Sequence, residues 1–192
     1  MFAWFCPGTL LLTEDGEMPV EALAVGVRLI TIREDGPPAA PVVRVERRAV
    51  DFSRHPAPEL ARPVRVRAGA FAQAMPARDL RLAPNHAVYA DGVLLAVLAL
   101  CNGSTVFQET ETSPVIYTRV ELESHDVILA EGLPVASSLG SAGNAVALHP
   151  SFPSAPAPDL CLPLLQDGQP VLEMRRVLAY RAGVPIRRSF LR

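Results

Sequence analysis

Five side chains in this sequence have the right types to work on a peptide bond together. Cys6 lies almost at the amino end, in Phe5-Cys6-Pro7-Gly8-Thr9, and the nearest carbonyl its thiol can attack is that of Phe5. Such an attack moves the acyl group from nitrogen to sulfur. It then needs a proton for the departing amide nitrogen, and His86 in Pro84-Asn85-His86-Ala87 is an imidazole able to give one. Asn85, or the backbone around Ala83, can hydrogen-bond the scissile carbonyl and stabilise its developing charge. A second imidazole, His125, is followed by Asp126. A carboxylate orients an imidazole or makes it more basic, but neighbours on a strand point to opposite faces, so one of the two faces the site and they do not pair. A thiol plus an imidazole brought in by the fold is the minimal equipment for acyl transfer. A lone cysteine is more often a small buried hydrophobe. What distinguishes Cys6 is that it begins the fold.

Composition narrows the alternatives. The chain has 192 residues, 49% hydrophobic and 20% charged, which describes a folded chain with room for a core. Its net charge of −2 gives no field that would draw nucleic acid or an acidic membrane. All 18 basic residues are arginine. Without lysine there is no Schiff base, P-loop lysine or Ser–Lys dyad. Cys6, Cys101 and Cys161 are too few and too scattered for a disulfide framework or a Cys-x-x-Cys metal site. The spacings of a zinc hydrolase are missing, so neither metal nor cofactor is expected. The first residues lack a basic stretch and break at Pro7-Gly8, unlike a signal peptide. The longest apolar run, Val93 to Cys101, is too short for a membrane span. The cytoplasm is therefore the default compartment, and neither nucleic acid nor membrane is an expected partner.

The elements that must position these groups read as short strands punctuated by proline and glycine. Strands are expected at Thr9–Thr13, Gly26–Ile32 (before a turn at Asp35–Pro38), Val42–Val45, Val64–Arg67, Val115–Leu122 and Val127–Leu129. Ala87–Tyr89 and Val93–Leu95 flank Asp91-Gly92, a strong hairpin signal. Single helical turns are expected at Val20–Leu23 and Ala68–Gln73. Pro150–Pro158 reads as a linker. From Pro170 to Tyr180 an apolar stripe of helical period runs between a starting proline and Gly183, giving an amphipathic helix. It is expected to pack back on the body, its other role being to dock a protein partner.

Taken in order, the motifs resemble the Hedgehog/intein (Hint) domain, in its bacterial stand-alone type. The resemblance is carried by Cys6-Pro7-Gly8-Thr9, Gly16-Glu17-Met18-Pro19-Val20-Glu21-Ala22-Leu23 with Gly26, Arg54-His55-Pro56, Arg62-Pro63-Val64, Pro76-Ala77-Arg78-Asp79-Leu80, Pro84-Asn85-His86-Ala87-Val88, Asn102-Gly103, His125-Asp126 and Ala130-Glu131-Gly132-Leu133. It implies an all-β, horseshoe-like fold of two pseudo-symmetric halves over residues 1–145, with residues 146–192 as linker and C-terminal helix. It further implies that Cys6 forms a thioester with the Phe5 acyl group, that His86 protonates the departing amide, and that His125 assists. Three positions depart from the family pattern. Val27 stands where Asp is usual, and Ala83 where Thr or Ser is often found. Asn144 is followed by Ala145, so splicing is not expected. The expected function is single-turnover self-cleavage at Phe5–Cys6, with the protein's own amino-terminal peptide as substrate. The alternative is an inactive Hint fold used as a protein-binding module.

Overall fold

The structure is a computed structural model that describes residues 3–33, 36–110, 113–139 and 160–183. The expected all-β body is present, with one helix near the C-terminal end. Fifteen strands lie among the described residues: β1 (Trp4–Phe5), β2 (Leu10–Thr13), β3 (Gly16–Pro19), β4 (Arg28–Ile30), β5 (Ala39–Val50), β6 (Val64–Val66), β7 (Leu80–Leu82), β8 (Ala87–Ala90), β9 (Val93–Ala96), β10 (Val106–Gln108), β11 (Val115–Leu122), β12 (Val127–Ala130), β13 (Leu133–Ala136), β14 (Ser138–Leu139) and β15 (Leu164–Leu165). Helix α1 spans Gln169–Arg181.

Two halves share the long strand β5. Its first residues pair with β4 (Arg28 with Pro41, Ile30 with Ala39) in a half that continues through β2, β12, β13, β8 and β9. From Val42 to Val50 it pairs with β11 in the other half, which continues through β1, β7, β6 and β10. β5 was legible only over Val42–Val45. Its later residues, Glu46, Arg47 and Arg48 among them, lack a β signature and are held extended by the antiparallel register with β11. Strands β3, β7, β10 and β13 also went unread. Each has three or four residues and depends on its neighbours. The helical turn expected at Ala68–Gln73 does not form; turns there lead to a bridge between Ala72 and Met75. The turn at Val20–Ala22 does form, as a short 3-10 helix.

Local signals held where sterics decide the backbone. The Asp91-Gly92 hairpin joins β8 to β9 with both residues at positive φ, 47° and 81°, as a two-residue loop of this type requires. Helix α1 has Pro170 in its first turn and ends where the N–H of Gly183 meets the Tyr180 carbonyl at 3.0 Å. Val171 and Leu178 are buried in the main core, so the helix packs back on the body. Arg175 and Arg181 pin it through the carbonyls of Cys101, Gly69 and Ala70. The expected linker at Pro150–Pro158 and Asn144 lie outside the described residues.

Candidate functional site

Strand β1 is the centre of the site. It lies between β11 and β7, with Trp4 opposite Arg119, and Phe5 opposite both Thr118 and Leu82. Hydrogen bonds grip it and the residues that flank it. The Ala3 N–H donates to Ser138 Oγ at 2.8 Å, and that hydroxyl lies 3.3 Å from the Ala3 carbonyl. The Trp4 carbonyl accepts the Ala83 N–H at 3.0 Å and faces His86 Nδ1 at 3.2 Å. The Cys6 N–H donates to the Arg81 carbonyl at 3.3 Å, and Thr9 Oγ1 donates to the Cys6 carbonyl at 2.8 Å. The following turn is fixed by Glu21, whose carboxylate accepts the Gly8 N–H at 3.0 Å.

Side chains of successive residues in an extended segment leave opposite faces. Trp4 and Cys6 share one face, in a cluster with Val50, Phe52, Ala61, Ala83, Val115 and Tyr117. Phe5 points the other way into the main core, where its ring meets the His86 ring edge-on at 4.7 Å. The imidazole expected beside the Cys6 thiol therefore lies on the Phe5 side of the strand. It touches the carbonyl of the Trp4–Phe5 bond, one bond upstream of the expected scissile one.

The surroundings of the thiol reinforce this separation. Cys6 is fully buried, and burial raises its thiol to about 12; nearby Arg81 and Arg65 pull it down and Glu109 pushes it up. These three charges form a network of their own. Glu109 accepts from Arg81 Nη2 at 2.6 Å and from Arg65 Nη2 at 2.6 Å. On the Trp4 side, Arg119 lies 5.5 Å from the indole ring centre and pairs with Glu46 and with buried Glu121.

His86 is fully buried between two carbonyls, with Nδ1 toward Trp4 and Nε2 toward Ala136 at 3.1 Å. Burial lowers its imidazole to about 4, against the pull of both carbonyls. A neutral imidazole carries one N–H, so at neutral pH one of the two carbonyls faces a ring lone pair. Charge on His125 pushes the His86 imidazole lower still. Asn85 precedes His86 in the chain, and its side-chain oxygen is buried with no partner among the described residues.

His125 and Asp126 make separate hydrogen bonds. One carboxylate oxygen of Asp126 accepts the Val127 N–H at 2.8 Å, and the Asp126 N–H donates to Ser137 Oγ at 2.9 Å. Burial raises this carboxyl. His125 turns its Nδ1 not to Cys6 but to Cys161, 3.0 Å from the sulfur. Ser138, Trp4 and Cys161 were missed as site residues. Ser138 follows a strand too short to read, and nothing in the spacing ties Cys161 to His125. Among the described residues no group of three or more histidine, cysteine or acidic side chains is arranged to hold a metal, and no helix is long and apolar enough to cross a membrane.

Comparison with solved structures places this architecture. The chain is similar to a bacterial intein-like domain from Clostridium thermocellum, with 14% identity, a TM-score of 0.52, and coverage of 72% of this chain and 99% of that one. It is also similar to a DnaB intein from Synechocystis sp. PCC 6803, with 11% identity, a TM-score of 0.52, and coverage of 71% and 99%. At such identities the likeness is one of fold. No curated protein matches the chain. A family model described as the Hint domain matches residues 3–141, well over half the sequence. With the fold, the ordered motifs and this match in agreement, the chain belongs to the Hint domain family.

Proposed function

We propose that this chain is a Hint domain that holds its amino-terminal strand without cutting it at Phe5–Cys6, and that the fold serves as a protein-binding module. The observation carrying this reading is the alternation along Trp4-Phe5-Cys6, which leaves the thiol and the His86 imidazole on different faces of β1. An acyl shift at Cys6 needs a nucleophilic sulfur and a proton donor at the Cys6 nitrogen. The thiol is held near 12 within apolar packing, and the Cys6 N–H is committed to the Arg81 carbonyl. The carbonyl that His86 does touch belongs to a bond followed by Phe5, which has no nucleophile. The helix, anchored through Val171 and Leu178, keeps Val177 and Tyr180 exposed for a protein partner.

Intact mass after incubation with a thiol or with hydroxylamine tests the first half of this proposal. The expected result is an unchanged full-length mass for both wild type and Cys6→Ala. Release of a Met1–Phe5 fragment from wild type alone would establish self-cleavage at Cys6 instead.

A further inference from the structure

A second thiol–imidazole pair lies away from β1. His125 Nδ1 is 3.0 Å from Cys161 Sγ and also accepts the Cys161 backbone N–H at 3.3 Å. A ring nitrogen that accepts an amide proton carries none itself. The ring is therefore the Nε2–H tautomer, its single Nδ1 lone pair shared between the Cys161 N–H and the thiol. Burial raises the Cys161 thiol, and the Arg33 guanidinium beside the same sulfur pulls it back toward the anion; Arg33 Nη1 also reaches the His125 carbonyl at 3.5 Å. The other charge felt by the sulfur is Asp126, which opposes the anion. His125 is 2% exposed and its Nε2 has no partner among the described residues, and neither has the outer oxygen of Asp126. Cys161 itself is partly open to solvent, unlike Cys6.

We propose that Cys161 is a base-assisted reactive thiol, with His125 taking its proton and Arg33 holding the sulfur anion, and that its substrate class is a small disulfide. The Cys161 sulfur attacks one sulfur of the disulfide. The S–S bond breaks and a mixed disulfide forms at Cys161. The thiol proton passes through His125 Nδ1 to the departing sulfur, and the disulfide is the oxidant. This modification site is separate from the cleavage question at β1, so either can fail without the other.

The probe is glutathione disulfide added to the full chain, with modification at each cysteine followed by peptide mass mapping. Cys101, also partly exposed and with no imidazole contact among the described residues, is the reference within the same molecule. Cys161 is expected to react at least about tenfold faster than Cys101 near neutral pH, and His125→Gln to remove that advantage. Its rate should stay level between about pH 5 and about pH 7, because the imidazole remains neutral down to about 4. An unassisted thiol instead slows about tenfold for each pH unit below its own pKa. Equal rates at Cys161 and Cys101, or an unassisted pH profile at Cys161, would overturn the proposal. Both readouts come from wild type, so a poorly folding variant does not blunt the test.

Discussion

Two buried imidazoles make this fold sensitive to acid. Burial holds His86 and His125 at about 4, against the ordinary 6.5. In the unfolded chain both titrate near the ordinary value. Between these limits the unfolded chain binds more protons than the fold, so stability is full above about pH 7.5 and is lost as pH falls from about 6.5 toward about 4. At about pH 5 each histidine removes about 2 kcal/mol, and the pair about 4 kcal/mol. That is a large share of the roughly 5–15 kcal/mol typical of a domain. Asp126 acts in the opposite sense: its raised carboxyl gains relative stability as pH falls through its folded value, which blunts the acid end of the curve. Urea unfolding at stepped pH, for wild type, His86→Gln and His125→Gln, reads these terms separately. Each variant should lose about half of the acid-dependent fall. A wild-type free energy that stays level from about pH 7.5 to about pH 5 would refute the reasoning. It would mean that both imidazoles keep a proton in the fold, with His86 donating from both nitrogens to the Trp4 and Ala136 carbonyls.

Other perturbations test the strand and the helix. Ser138→Ala removes the acceptor of the buried Ala3 N–H and should cost about 1–3 kcal/mol. Amide exchange at residues 3–6 should speed up more than exchange in β11 and β5; uniform exchange would deny Ser138 its role as the strand's clamp. Leu178→Ala opens the core under α1 and should lower stability by about 2–5 kcal/mol in a single transition. An unchanged body with a separately melting helix would show that α1 is not part of the same cooperative unit.

Much of the fold was legible because local physics speaks for it. Asp91-Gly92 tolerates the left-handed backbone a tight hairpin needs, and the stripe from Val171 through Met174 to Leu178 repeats at the spacing of one helix face. The ordered motifs carried the family because each marks a turn or a buried contact. Glu131, for example, ties the β12–β13 turn to the Leu10 N–H and to Arg78. The site was less legible, since knowing that Cys6 and His86 are present does not say which face of β1 each occupies. One residue along a strand reverses the side chain, and the register of β1 between β11 and β7 sends Phe5, not Cys6, to the imidazole.

By itself, then, the sequence determined the all-β body, its β8–β9 hairpin, the closing helix and the family, all consequences of backbone sterics and of apolar periodicity over a few residues. Only the tertiary structure decided which sulfur meets which imidazole. Cys161 and His125 are far apart in the chain, and no local pattern encodes a contact made by the packing of distant segments.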